Sequence, residues 1–357
     1  MSRVIAFYLP QFHPIPENDE WWGKGFTEWT NVGKASSLFR GHYQPHVPAD
    51  LGYYDLRVAE TRQQQADMAL EYGVDAFCYY HYWFGDGRRI LERPFNEVLN
   101  SGEPDFPFCL CWANQTWTGI WHGAPKRILI EQTYPGYDDH ARHFDWLATA
   151  FADRRYITVD GKPLFVVFHP LEIPNVKDVT QFWRQRAVAA GFPGLHLVGI
   201  KHENVFSPAD KNSPVWDPKD YGFDASIRNR VPSLPRKRHN LLSWLLKRPT
   251  IVDHKKLIDL FVAPPIPGIK DYPCVSHAWD NTPRSGSRGV VFQGSHPDLF
   301  RRNLRQAFTQ VAANKSDEQI VFLRAWNEWA EGNHLEPDLK FGLRWLEALR
   351  EEKSAAT

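Results

Sequence analysis

Eight short apolar runs, spread along the whole chain, constrain its fold more than any other feature. They are Val4–Tyr8, Val74–Tyr80, Phe106–Trp112, Leu164–Phe168, His196–Ile200, Phe223–Ile227, Tyr272–Ser276 and Ile320–Ala325. Each is rich in β-branched and aromatic residues and nearly continuous in apolar character. Strands buried on both faces read this way, as they do in parallel sheets covered by helices. Helical segments lie between several of them. Asp55–Tyr72 is amphipathic and stops at Gly73, and His140–Phe151, Val179–Ala190 and Pro297–Ala313 follow the same plan. Strand–helix alternation repeated eight times predicts a (β/α)8 barrel of the α/β class. An open doubly wound sheet is the competing arrangement, weakened because no Gly-rich phosphate loop follows the first run. The 357 residues exceed the ~150 of an average domain, but barrels of this kind exceed that as one unit. The expectation is one barrel domain over 1–350, a basic insertion around 228–256, and a disordered tail over 351–357.

Composition narrows the function classes. Lys+Arg and Asp+Glu each number 42, and that balance argues against a nucleic-acid partner. Aromatic residues make up 14% of the chain, with 15 Trp, more than a core alone requires. No apolar stretch reaches the ~20 residues of a membrane span, and the N-terminus lacks the pattern of a signal peptide. The expected location is cytoplasmic. Cys78, Cys109, Cys111 and Cys274 form no CxxC pair and are expected as small buried apolar groups. No HExxH or other metal spacing, GxSxG elbow or phosphate-cradling loop is present, so neither metal nor cofactor is expected. From Arg228 to Lys256, nine Lys/Arg face one acid, Asp253. The plain reading is a solvated insertion; the sharper one is peripheral contact with the inner membrane or with an acidic glycolipid head group.

In a (β/α)8 barrel the loops after the strands carry the chemistry, and here those loops are enriched in aromatic and polar residues. Tyr8 closes the first run, and Gln11, His13, Trp22, Glu28, Trp29, His42, Tyr43 and Gln44 follow it. Tyr80, His81 and Trp83 accompany the second run; Trp112, Asn114 and Gln115 the third; His169 the fourth; Lys201 the fifth; Trp279, Asp280 and Asn281 the seventh; Trp326 and Asn327 the eighth. All are candidate substrate-binding residues. Indoles offer flat apolar faces to a pyranose, and Asn, Gln, His and Tyr bind hydroxyls.

The most informative string is Trp326-Asn327-Glu328-Trp329-Ala330-Glu331-Gly332. Residues three apart on a helical turn are neighbours, with Cβ atoms about 5–6 Å apart. Two carboxyls so placed, expected to be walled by Trp326 and Trp329, do not ionise equally. Glycoside cleavage requires such a pair, one group protonated and one charged, and a short separation favours retention of anomeric configuration. Glu328 and Glu331 are therefore the candidate catalytic residues; ion pairing with Arg324 is the structural alternative.

The chain resembles the WbsX-like family of lipopolysaccharide and O-antigen gene clusters, which is similar in turn to the endo-α-mannosidases of glycoside hydrolase family 99. The resemblance rests on Phe7-Tyr8-Leu9-Pro10-Gln11-Phe12-His13, Gly25-Phe26-Thr27-Glu28-Trp29-Thr30-Asn31-Val32 and Gly41-His42-Tyr43-Gln44-Pro45-His46. It extends to Phe77-Cys78-Tyr79-Tyr80-His81-Tyr82-Trp83-Phe84, Cys109-Leu110-Cys111-Trp112-Ala113-Asn114, Trp279-Asp280-Asn281-Thr282-Pro283 and the Glu328/Glu331 string. It implies the (β/α)8 fold. It further implies that Glu328 assists attack by the sugar 2-hydroxyl and that Glu331 is the acid/base. Two positions depart from the pattern: Ala330 stands where family 99 has His, and Gln115 where nearer relatives have Glu. The resulting expectation is a retaining hydrolase acting on an α-linked bacterial surface or O-antigen-type glycan. A glycosyltransferase or transglycosylase of lipopolysaccharide or capsule biosynthesis is the alternative, and a non-catalytic carbohydrate-binding barrel, motivated by Gln115, is the third.

Overall fold

The computed structural model describes residues 2–119, 124–204, 216–231 and 248–356. All eight expected runs form strands: Arg3–Tyr8, Ala76–His81, Phe108–Trp112, Lys162–Val167, His196–Asn204, Ala225–Val231, Asp271–Ser276 and Ile320–Arg324. Each pairs in parallel with its sequence neighbours, and the first pairs with the eighth, Arg3 opposite Ile320. The sheet closes on itself as a (β/α)8 barrel. Closure removes every edge, and the near-continuous burial of the strands explains their unbroken apolar character.

Alternate side chains point to opposite faces of the sheet. Phe7 faces inward, stacked between Tyr80 and Phe322 with centroids 5.6 and 5.5 Å away. Tyr8 faces outward and donates to Gln65 Oε1 at 2.6 Å. Gln65 lies on the helix Ala59–Glu71, whose buried residues Arg62, Gln65, Ala66 and Ala69 make one helical stripe. Gly73, at φ +88°, ends that segment. The other three expected helices appear as Tyr137–Phe151, Val176–Ala189 and Pro297–Val311. The four cysteines are buried.

Glu351–Ala355, expected within a disordered tail, belongs to the last helix, Arg344–Ala355. Glu352 is buried and takes two hydrogen bonds from Arg305, while Lys353 bonds Gly73 O and Asp75. These contacts hold a segment whose composition reads as polar. Most of the basic insertion, 232–247, lies outside the described residues. Within its described part, Arg228 and Arg230 both pair with Glu203. Among the described residues, no helix is long and apolar enough to cross a membrane.

Candidate active site

The eighth strand runs into Asn327 and Glu328, a single 3-10 turn Trp329–Glu331, and Gly332 in the left-handed region at φ +59°. Asn333-His334 then pairs back, antiparallel, onto Asn327-Glu328. Glu328 caps the turn and Glu331 ends it. In a 3-10 helix, side chains three apart eclipse one another, so both carboxyls point the same way, into one cavity at the C-terminal mouth of the barrel.

That cavity encloses about 280 Å³ and is lined by, among others, Gln11, Trp22, Phe26, Glu28, Tyr80, Tyr82, Gln115, Trp117, Arg284, Arg324, Glu328 and Glu331. Its size is close to the lower end of small-molecule sites. Arg284 lines the cavity from the short helix Thr282–Ser285. It donates to Glu331 Oε1 at 2.7 Å, to Glu328 Oε2 at 3.1 Å, and twice to Glu28 Oε2 at 2.9 and 3.1 Å. Arg324 donates to Glu331 Oε2 at 3.0 Å and sits over the Trp279 ring, 4.7 Å from its centroid.

The electrostatics follow from burial. Removal from water would discharge Arg284, but three carboxylates reverse that and raise its pKa. Burial, joined by repulsion from Glu331, pushes the Glu328 carboxyl up to about 7 against the pull of Arg284 and Arg324. Glu336, five residues beyond Glu331, is also pushed up to about 7 by burial. It accepts hydrogen bonds from Trp329 Nε1 (2.6 Å), Gln65 (2.6 Å) and Tyr54 (2.8 Å), which oppose that rise.

Of the residues expected to bind substrate, Gln11, Trp22, Glu28, Tyr80 and Gln115 line the cavity with the two glutamates. Asn114 and His169 stand just behind Gln115. The Asn114 carbonyl accepts from His169 N at 2.8 Å, and the His169 ring meets Gln115 Oε1 at 3.1 Å. His42 and Gln44 both bond Asp280 Oδ2, at 2.7 and 2.8 Å, and brace the turn from outside. Asn281 accepts from Val290 N, and Asn327 ties the turn to both backbone groups of Leu9.

The remaining candidates fall away from the cavity. Tyr8, His81, Trp83 and Trp112 pack outward: His81 bonds His143 of the helix layer at 2.9 Å, Trp83 Nε1 donates to Asp139, and Trp112 Nε1 to Trp83 O. Tyr43 stacks on His46, Lys201 pairs with Glu203, Trp29 packs on Trp329, and His13 is buried. Trp326 and Trp329 do not wall the carboxylates. They are 0% and 1% exposed, turned beneath the loop against Phe77 and His334, and the indoles at the cavity are Trp22 and Trp117.

Arg284 escaped the sequence reading, although it follows Trp279-Asp280-Asn281-Thr282-Pro283 directly. Tyr82 and Trp117, which follow the second and third runs in sequence and are expected at the same mouth, do line the cavity. One buried cluster, His46, His334 and Asp338, brings three metal-ligand atoms within 4.8 Å of one another. The His46 Nδ1 to His334 Nε2 distance of 2.8 Å is that of one hydrogen bond. Two tetrahedral zinc-bound nitrogens would stand about 3.3 Å apart, given Zn–N distances of ~2.0–2.1 Å.

Comparison with known proteins bears on the family and the fold. Residues 4–349 match the family model described as glycosyltransferase WbsX. The uncharacterized protein WxcX of two Xanthomonas campestris pv. campestris strains is 38% identical over 360 residues, 99% of this chain. The chain spans about half the length of those relatives (50%). Among solved structures, a glycoside hydrolase-like protein superposes with TM-score 0.59 at 15% identity, covering 98% of this chain and 93% of that one. The GH99 endo-α-mannosidase from Bacteroides thetaiotaomicron superposes with TM-score 0.58 at 12% identity, covering 99% and 97%. At such identities the likeness concerns the fold.

Proposed function

The chain belongs to the WbsX glycosyltransferase family, and on that premise we propose that it is a retaining glycoside hydrolase acting on an α-linked bacterial surface or O-antigen-type glycan. The observation that carries this reading is the pair Glu328 and Glu331, on one 3-10 turn, facing one cavity and bound to one guanidinium. An oxocarbenium-like transition state requires a proton on the departing oxygen and an anion near the anomeric carbon. Two carboxyls in unequal surroundings provide both near neutral pH. Their closeness supports net retention, since inversion needs room for a water between the groups. Trp22, Phe26 and Trp117 give the cavity flat apolar faces, and Gln11, Gln115 and Asn31 give it amide groups suited to sugar hydroxyls.

A second reading, transfer rather than hydrolysis during polysaccharide assembly, is favoured by the family description. One experiment separates the two. The protein is incubated with defined oligosaccharides and bacterial polysaccharides, and in parallel titrated calorimetrically with sugar nucleotides. Reducing-end product without a donor supports hydrolysis. Saturable binding of one sugar nucleotide, with no product from glycan alone, supports transfer.

A further inference from the structure

The wall that the loop after the first strand gives to the cavity carries a buried acceptor with nothing to accept from. Asn31, on the short helix Glu28–Gly33, lines the cavity and is 3% exposed. Its Nδ2 donates to Glu28 Oε1 at 3.3 Å. That bond fixes which way the amide faces. Glu28 is bound as a carboxylate by the Arg284 guanidinium and offers acceptors only, so Asn31 turns its NH2 group toward it. Asn31 Oδ1 is left without a hydrogen-bond partner among the described residues. A buried acceptor in that state is costly unless a group entering the cavity donates to it.

The neighbours of that oxygen define the group. Thr27 caps the helix, so Phe26 stands one place before the cap and Asn31 four places after it, positions that pack together at helix N-termini. Phe26 in turn meets Trp22, ring centroids 6.1 Å apart, and both rings line the cavity. Gln11 is tied to the same helix, its carbonyl accepting from Glu28 N at 3.1 Å, and it too lines the cavity. We propose that this wall is a pocket for an acylamino substituent, and that the glycan cleaved here carries an N-acylated amino sugar. The inference rests on the glycosidase reading and names its substrate class. The N–H of such a group donates to Asn31 Oδ1, Gln11 Nε2 donates to its carbonyl, and its methyl lies on the Phe26 and Trp22 rings. A hydroxyl can use either amide, but it leaves the two rings against water, whereas the acetamido group covers them. The family resemblance has the sugar 2-hydroxyl attack its own anomeric carbon, which requires that hydroxyl to be free, so the substituent belongs on another ring carbon.

The test is a binding measurement. The full chain is titrated calorimetrically with methyl α-mannosides, α-glucosides and α-galactosides that carry an acetamido group at C3, C4 or C6. Each is compared with the same glycoside bearing a hydroxyl, and with the one bearing a free amine, at that carbon. At least one acetamido glycoside is expected to bind about tenfold more tightly than its hydroxyl counterpart. Asn31→Leu removes the acceptor at similar size and should bring that ratio close to one. Gln11→Met should lower the ratio as well, and it decides the matter where Asn31→Leu does not fold. The proposal is overturned if no acetamido glycoside binds, if the hydroxyl glycosides bind as tightly, or if the amines bind most tightly. It is equally overturned if folded Asn31→Leu, or failing that Gln11→Met, keeps the full preference. Failure of the hydrolase reading would appear separately: the acetamido preference would stand, while no glycan, acylated or not, gave reducing-end product.

Discussion

Gly332 packs so closely on Asp280 that a Cβ at position 332 would stand 2.8 Å from Asp280 Cβ and 3.0 Å from its backbone nitrogen. That nitrogen also donates to Glu331 O at 2.7 Å. The loop after the seventh strand and the Glu328–Glu331 turn are thus fitted to each other at a position with φ +59°, where a side chain is strained in any case. Gly332→Ala should cost about 1–3 kcal/mol of stability and displace Glu331 from Arg284. Urea denaturation measures the first, and loss of glycan turnover out of proportion to the stability change measures the second.

Asp280 is the brace of that contact. Burial opposes its charge, but hydrogen bonds from His42, Thr282 and Gln44 outweigh burial and hold its pKa below the usual carboxylate value. A lowered carboxyl contributes stability that is present above its unfolded pKa, near ~3.9, and is lost as pH falls through the folded value. Asp280→Ala leaves those donors without their acceptor and should cost about 2–4 kcal/mol at neutral pH. Asp280→Asn should flatten the acid limb of the stability curve, which thermal melts between neutral and strongly acidic pH will reveal.

Glu336 has the opposite sign. Its carboxyl is raised to about 7, so the unfolded chain binds fewer protons than the folded one between the two values. Stability then falls as pH rises from about 4.5 to 7, by up to about 3 kcal/mol from this group. Glu336→Gln should remove that fall while keeping an acceptor for Trp329 and Tyr54. If the wild type and the variant show parallel stability curves over this window, the buried carboxyl is not the source.

Trp22 and Trp117 line the cavity, whereas Trp326 and Trp329 support it from below. Trp22→Ala should weaken glycan binding about tenfold, which corresponds to ~1.4 kcal/mol, with little change in melting temperature. Trp329→Ala should lower the melting temperature first, as a buried aromatic truncation costing about 3–5 kcal/mol. Calorimetric binding together with scanning calorimetry distinguishes the two kinds of tryptophan.

The barrel was legible because strands buried on both faces leave unbroken apolar runs, and all eight runs became strands. The same property hid which residues face the site. Tyr79 and Tyr80 are adjacent and alike in sequence, yet Tyr80 lines the cavity and Tyr79 packs against Phe95 of the helix layer. Tyr8, His81 and Trp112 were misplaced for that reason. The Glu328/Glu331 turn could be read because its two members sit three residues apart and Gly332 ends it. Arg284 could not, because its role depends on Glu28, 256 positions away in sequence, and on a pair 44 and 47 positions away. Such a cluster exists only after closure of the barrel.

The central claim is that Glu328 and Glu331 perform glycoside cleavage. It is tested most directly by the rate of glycan hydrolysis, with product anomers followed by NMR, for the wild type, Glu328→Gln and Glu331→Gln. The account predicts a retained anomer from the wild type and a loss of at least about 10²–10⁴-fold in each folded variant. Near-wild-type turnover in both variants would contradict it.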